Sequence, residues 1–429
     1  MDTYQVKPIY NREKKDIFVS VPGSKSITNR ALLLAAMAEG QSTVRGILFS
    51  DDSRHFLSCL KALGFSVTAS EKTNEAVIVG LGGKIPKREA KIDVGSAGTA
   101  ARFLTAFLGM SEGRYEITAS EQMMKRPMDS LFHSLEELGA KITCLREQGH
   151  LPIIIENTGL KKNEVTVDIE KSSQFLSALL ISSCISRQDF TIHMTGEHGR
   201  AYIDLTLSMM RAFGADFQCK DDHTFFIPRD MAYQPMEYQV EPDLSAACYF
   251  YAMSPILGRK VCVSNVHMDC SQGDLQFVTL LTQLGCTLSD EEQGLVVTPP
   301  EQDSYPGVTV DMSAFSDQTM TMAAVAVFAT SDTTITGISH IRFQESDRIH
   351  AVVTELRKMG IEVEELSDGI VIHPGSPKPS CVATYEDHRM AMAFSLIGLR
   401  SEGIVIENPL CCRKTFENYF DLLDQMIDS

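Results

Sequence analysis

Five stretches of the chain repeat one arrangement of apolar and polar positions: FLSCLKALGFSV, LFHSLEELGAKI, LSMMRAFGADF, FVTLLTQLGCTL and VVTELRKMGIEV. In each, apolar residues at helical spacing run to a glycine and an alternating segment follows at once. That change of period predicts an amphipathic helix ending in a half-buried strand. Glycine suits the junction because it enters the left-handed conformation that stops a helix. The five glycines are Gly64, Gly139, Gly214, Gly285 and Gly360, at intervals of 75, 75, 71 and 75 residues. So regular a spacing predicts repeated supersecondary units.

Between these stretches lie longer apolar runs that begin near Ser26, Thr99, Ser173, Ser245, Gln318 and His388, several of them ending at Gly40, Gly113, Gly258 and Gly403. They predict a second helix family and six units, each of two helices with short strands. The last unit is short of residues after the helix ENYFDLLDQMI, so the N-terminal segment DIFVSV is expected to supply its missing strand. Three units per domain is the simplest division. It puts crossovers near 21–23 and 241–243, where Pro22 and Pro242 break local structure. The expected domains are therefore 1–22 with 242–429, and an inserted 23–241. The glycines of VIVGLGGK, from Gly80 to Gly83, read as a hairpin loop and not as a dinucleotide fingerprint, because no helix follows.

Composition narrows the function. The 429 residues are 44% hydrophobic and 22% charged, ordinary values for a folded protein, and the formal charge is −17. An acidic surface disfavours nucleic acid and anionic membranes as partners. The polar start carries no apolar leader and no run is long enough for a membrane span, so a cytoplasmic protein is expected. Eleven scattered cysteines without a CxxC pair read as reduced thiols, with Cys411 and Cys412 split between a packed and an unpacked position.

Unusual polar residues collect where the second helices begin. VPGSKSITNR puts Lys25, Ser26 and Arg30 on a strand, Gly-Ser turn and helix, whose free N–H groups and dipole favour an anion. GSAGTAARFL repeats the arrangement with Gly98 and Arg102, and EKSSQFL offers Ser172, Ser173 and Gln174 as neutral donors. Arg126, Arg348, Arg389 and Lys414 add cations, while Asp317 and Glu345 stand among them as candidates for proton transfer. Singly, each reads as a surface charge or an ion pair, Asp317 equally as a helix cap, and His388 more often as a hydrogen-bonded structural histidine than as a catalyst. Together, in an acidic chain, they predict a cationic pocket for a ligand with several negative charges. No metal-ligand spacing is present and no metal or other cofactor is expected.

In that order, VPGSKSITNRALLLAA, GSAGTAARFL, KRPM, SSQFLSALL, SDQTMT, QESDRI, EDHRMAMAF and KTFENYF resemble the 3-phosphoshikimate 1-carboxyvinyltransferase family, also called 5-enolpyruvylshikimate-3-phosphate synthases. The resemblance implies a two-domain inverse α/β barrel of six pseudo-repeats, with the active site in the cleft between the domains. It implies transfer of the enolpyruvyl group of phosphoenolpyruvate to the 5-hydroxyl of shikimate 3-phosphate, with release of phosphate, on the way to chorismate and aromatic amino acids. The partners would be those two small molecules, and a monomer is expected. By resemblance Lys25 would touch both substrates, and Ser26 and Arg30 the shikimate carboxylate. Ser172 and Ser173 would hold the shikimate phosphate, with Gln174 between the ligands and Tyr202 beside the ring. Gln344 and Asp317 would also face shikimate 3-phosphate. Gly98, Arg126, Arg348, Arg389 and Lys414 would surround phosphoenolpyruvate. Glu345 would be the acid toward C3 and Asp317 the base toward the hydroxyl, with Lys25 and His388 as further catalytic candidates.

The chain departs from the family's usual residues at Ser96 for Asn, Phe103 for Pro, Gly199 for Ser and Gln344 for Lys, with Arg200 and His340 near enough in sequence to compensate for the last two. The related UDP-N-acetylglucosamine enolpyruvyl transferases carry a reactive cysteine on a loop, and the corresponding stretch SEGRYEITASEQMMK has none. A regulatory relative that binds without turnover, and a nucleic-acid phosphate-end enzyme of similar repeats, are the alternatives of other classes.

Overall fold

In the computed structural model, which describes residues 2–9, 15–197 and 199–428, the chain divides into two compact units, Met1–Pro22 with Pro242–Ser429 and Gly23–Glu241. Residues 10–14, part of the polar start, lie outside the described residues.

One strand pattern recurs through both units. In Gly23–Glu241, the strand Glu89–Asp93 runs parallel to Gly113–Thr118, which is antiparallel to Ile153–Asn157, itself antiparallel to Lys141–Cys144. Glu164–Asp168, Phe190–Thr195, Thr224–Ile227 and Gln218–Cys219 repeat it. In the other unit Thr309–Asp311, Thr333–Thr336, Gly369–Ile372 and Val363–Glu365 do the same.

A helix follows each of the strands that pair in parallel at the start of a repeat, joining it to its own neighbour in four sheets and to a strand of another sheet in the first and fourth, and these six helices account for the second apolar family. They are Lys25–Met37, Gly98–Met110, Gln174–Ser182, Leu244–Leu257, Thr319–Ala326 and His388–Gly398. All thirteen residues of Gly98–Met110, all eight of Thr319–Ala326 and all eleven of His388–Gly398 are buried. A helix enclosed on every side must be apolar on every side, which is why these segments read as continuous runs. The helices Asp51–Ala62, Asp129–Glu137, Arg200–Ala212 and Arg348–Lys358 each bury one face, and these carry the amphipathic period. The five stop glycines all take positive φ, from +79° at Gly360 to +109° at Gly139. A side chain is disfavoured in that conformation, so glycine is the residue that lets the chain turn from helix to strand.

The termini of the repeats differ from the expectation. Ile17–Val19, within DIFVSV, pairs parallel with Val261–Ser264 and so completes the fourth sheet, not the sixth. The last sheet is completed by Thr3–Gln5, antiparallel to Ile404–Glu407, and it holds three strands where the others hold four. The strand that precedes the fourth helix in sequence, Glu237–Gln239, pairs with Glu39–Arg45 of the first sheet. The first and fourth sheets therefore exchange their parallel strands. Non-local pairing of three-residue strands leaves almost no trace in hydropathy, whereas the helix stops leave a strong one. The Gly80–Gly83 reading also changes. Gly80 lies within the strand Glu75–Leu81, where a Cβ would sit 2.3 Å from the carbonyl oxygens of Ala35 and Ala38, so glycine serves close approach there; Gly82 and Gly83 form the turn after it.

Val6 follows the first strand, donates its N–H to Ile404 and packs where a Cβ on Gly398 would lie 2.5 Å from its own. Val6→Ala is expected to cost roughly 1–3 kcal/mol in denaturant unfolding, and deletion of residues 1–6 to lower Tm by several degrees. An unchanged Tm in the deletion would show that the strand does not stabilise its unit.

Candidate active site

Within Gly23–Glu241, side-chain bonds bring the starts of three central helices together. Asn29 Nδ2 donates to Thr99 Oγ1 at 2.6 Å, joining the first to the second. Arg30 donates to Thr206 Oγ1 and the Tyr202 carbonyl, and Thr206 bonds Ser177 of the third. The Arg102 guanidinium lies over Phe175, 5.8 Å from its centroid, joining the second to the third. The end of each helix that carries free N–H groups and positive dipole is thus gathered with the others.

The Arg102 guanidinium and that of Arg126 crowd the start of Gly98–Met110. A Cβ on Gly98 would stand 2.7 Å from Arg126 Nη1 and 2.8 Å from Arg102 Nη1, so the absence of a side chain is what lets both approach. Lys25 lies 3.8 Å from the buried carboxylate of Asp52. Ser172 Oγ accepts from the Gln174 N–H at 3.3 Å, and the buried Gln174 Oε1 has no hydrogen-bond partner among the described residues. An unsatisfied buried acceptor costs free energy, and a ligand donor would remove that cost.

Arg30 stands apart from the other cations. It is enclosed, it donates to neutral groups, it stacks 5.2 Å from the Phe103 ring, and burial lowers its pKa to about 10. Phe103 therefore packs beneath a guanidinium. Gly199 takes φ +72° at the start of Arg200–Ala212, and a Cβ there would fall 2.6 Å from Ser173 Oγ. Ser173 occupies the space that a longer residue at 199 would need. Arg200 is engaged by Asp204 at 3.0 Å and Asp222 at 3.5 Å, and His340 by Ser316 Oγ at 2.8 Å, so the compensation expected from these two is committed to other partners.

In the other unit the predicted residues form a chain of alternating charge. Lys414 Nζ lies 3.4 Å from Glu345 Oε1, and Glu345 Oε2 accepts from Arg348 Nη2 at 2.9 Å. Arg348 Nη1 donates to Asp317 Oδ1 at 3.0 Å, and Asp317 Oδ2 accepts from Arg389 Nη2 at 2.7 Å. Gln344 Oε1 also accepts from Arg348. On the remaining side of Arg348, Asp387 accepts from Nε at 2.8 Å. Burial alone would push the Arg348 guanidinium down, but Asp387, Glu345 and Asp317 outweigh it and hold it above its ordinary value.

Exposure separates the carboxylates. The side chain of Asp317 is 17% exposed and that of Glu345 10%, while Asp387 is fully enclosed. The first two are open to an incoming ligand. Asp387 instead holds Arg348 and caps the helix His388–Gly398 through the Arg389 N–H. Asp317 makes ion pairs where the sequence allowed a cap; neither Phe315 nor Gln318, at the cap positions, makes a side-chain capping bond. His388 opens its helix in a fully buried position, with Nδ1 3.8 Å from Asp387.

Sequence reasoning left Asp387 without a role and missed Asp274. The signal for Asp387 was its place before a helix, which reads as a cap. Asp274 is buried behind the cluster, accepting from Ser245 Oγ at 2.9 Å and Gln318 Nε2 at 2.8 Å. Burial, with the charge of Asp317, raises its pKa to about 6.

Comparison with known proteins follows the same lines. The model of the family described as EPSP synthase (3-phosphoshikimate 1-carboxyvinyltransferase) matches residues 12–423. A 3-phosphoshikimate 1-carboxyvinyltransferase of Trichormus variabilis is 41% identical over 428 residues, covering 100% of both chains. That of a Sulfurovum species is 40% identical, covering 99% of each. The solved EPSP synthase of Acinetobacter baumannii superposes with a TM-score of 0.81 over 99% of this chain and 98% of its own, at 24% identity, a likeness of fold.

A carboxyl group with a raised folded pKa binds its proton more readily in the native state. Its contribution to stability is full below the unfolded value near 3.9 and disappears as pH rises through about 6. Asp274→Asn keeps one acceptor for Gln318 and a donor for Ser245. Relative to the parent protein it should gain roughly 2–3 kcal/mol between pH 4 and pH 8 in denaturant unfolding. A difference that does not change with pH would show that Asp274 ionises freely.

Proposed function

The chain belongs to the EPSP synthase (3-phosphoshikimate 1-carboxyvinyltransferase) family, and from that membership we propose how its own residues carry the reaction. The reaction moves the enolpyruvyl group of phosphoenolpyruvate to the 5-hydroxyl of shikimate 3-phosphate and releases phosphate.

Residues 23–241 supply the groups for shikimate 3-phosphate: Ser26 toward its carboxylate, with Arg30 exchanging its neutral partners for that carboxylate, Ser172 and Ser173 toward its phosphate, and Gln174 and Tyr202 beside it. Lys25, Gly98 and Arg126 of the same unit, with Arg348, Arg389 and Lys414 of the other, serve phosphoenolpyruvate. Once phosphoenolpyruvate has taken over Lys414 and Arg348, Glu345 carries a proton and gives it to C3 as the 5-hydroxyl adds to C2, and Asp317 takes the proton of that hydroxyl. The tetrahedral adduct then collapses: the C–O bond to phosphate breaks, C3 returns its proton to Glu345, and the proton on Asp317 leaves with phosphate. Acid and base are thereby restored. Cations fixed on carboxylate and phosphate supply positioning and charge stabilisation.

What carries this reading is the alternating chain from Lys414 to Arg389, which sets two partly open carboxylates on either side of one buried guanidinium. A carboxylate pinned in that way is held ready for proton transfer. An acidic balance of −17 supports partners confined to the two small anions, and eleven free thiols support a reducing, cytoplasmic setting. We expect a monomer.

Phosphate release measured in a coupled assay should require both substrates. Asp317→Asn and Glu345→Gln should each lower kcat by about 10²–10⁴, and Arg126→Ala or Lys414→Ala should raise KM for phosphoenolpyruvate about tenfold or more with unchanged circular dichroism. Near-normal kinetics in all four variants would overturn the assignment, and saturable binding without turnover would favour a regulatory relative.

A further inference from the structure

The segment that leads into Asp387 follows an unfavourable course. Tyr385 and Glu386 take φ +55° and +58°, two consecutive residues with side chains in the left-handed region. Such a conformation costs on the order of 1–2 kcal/mol per residue, so neighbouring contacts must hold it. The Asp387 N–H donates to the Thr384 carbonyl at 2.8 Å, which closes this turn and sets the direction of the Asp387 side chain.

The contacts come from the helix Arg348–Lys358. Arg348, at its start, grips Asp387 at the end of the turn. Glu355, seven residues further on and so on the same face, grips the beginning. Glu355 is fully enclosed, and its carboxylate accepts from the Tyr385 hydroxyl at 2.7 Å, the Ala383 N–H at 3.1 Å and Lys358 Nζ at 2.7 Å. Burying a carboxylate is costly unless donors surround it, and this one has three. Two of them belong to the turn. Asn408 Nδ2 adds a bond to Glu386 Oε1 at 2.9 Å.

We propose that Glu355 and Tyr385 form a clasp that holds 383–386 in its left-handed course and thereby fixes Asp387 against Arg348, making both of them positioning residues for phosphoenolpyruvate. Neither belongs to the site described above, and neither is assigned to contact substrate. With the clasp open, the turn relaxes toward ordinary backbone angles. Asp387 then leaves Arg348, and the guanidinium loses the partner that orients it from behind.

The proposal rests on the assignment of Arg348 to the site, and the variants separate the two. Tyr385→Phe removes one oxygen from a partly exposed ring. It should lower kcat/KM for phosphoenolpyruvate about tenfold while KM for shikimate 3-phosphate stays within about twofold. Glu355→Gln keeps one acceptor for Tyr385 but turns its amide N–H toward the Ala383 N–H and Lys358 Nζ, which are themselves donors, so it should lower kcat/KM for phosphoenolpyruvate at least as much as Tyr385→Phe does. Unchanged kinetics in Tyr385→Phe, or a loss shared equally by both substrates, would overturn the clasp. Unchanged kinetics in Arg348→Ala would instead overturn the assignment of the site.

Discussion

A guanidinium that is 1% exposed is the constraint on which the unit of residues 1–22 and 242–429 depends. Burying such a group without partners is prohibitive, and removing one partner of a buried ion pair typically costs about 3–5 kcal/mol. Arg348 therefore fixes the positions of Asp317, Glu345 and Asp387, which arrive from three separate segments of the chain. Arg389 and Lys414 are held in turn by two of those carboxylates. The cluster named here balances three cations against three carboxylates. Its electrostatics consequently differ from a bare cationic trap: in the proposed reaction an anionic substrate would take over cations that the carboxylates have already aimed.

The scaffold makes this possible by separating two kinds of helix. Helices enclosed on all sides have no free face for polar groups, so polar chemistry is confined to their first turns. Repetition then places equivalent first turns together within each unit, as the Asn29–Thr99 and Arg102–Phe175 contacts do in residues 23–241. Strand exchange between the first and fourth sheets ties each unit to the polypeptide at two places, around Pro22 and Pro242. The proposed function follows the same division, with neutral donors and cations in residues 23–241 and the two carboxylates proposed as acid and base, Glu345 and Asp317, in the other unit.

Much of this was legible in the sequence, for physical reasons that can be named. Glycines at fixed intervals marked the helix stops because few other residues tolerate their backbone angles. The enclosed helices were visible as unbroken apolar runs, with starts at Lys25, Gly98 and Thr319 within a residue or two of those expected. Partner choice was not legible. Nothing local tells that Asp387 holds Arg348, that Asp274 is buried, or that Arg30 faces neutral groups, because those facts depend on residues distant in the chain. The left-handed turn at Tyr385 and Glu386 carries no glycine, so it gave no warning. Thr3–Gln5 was overlooked because three residues are too few to show alternation.

The most direct test of the account is a double-mutant cycle on kcat/KM for phosphoenolpyruvate with Arg348→Ala, Asp387→Ala and the pair. If Asp387 acts by orienting Arg348, its removal has little left to damage once Arg348 is gone, and the double variant will be no worse than Arg348→Ala alone. Losses that multiply in the double variant would show that the two residues act independently, and would contradict the dependence of the site on one buried guanidinium.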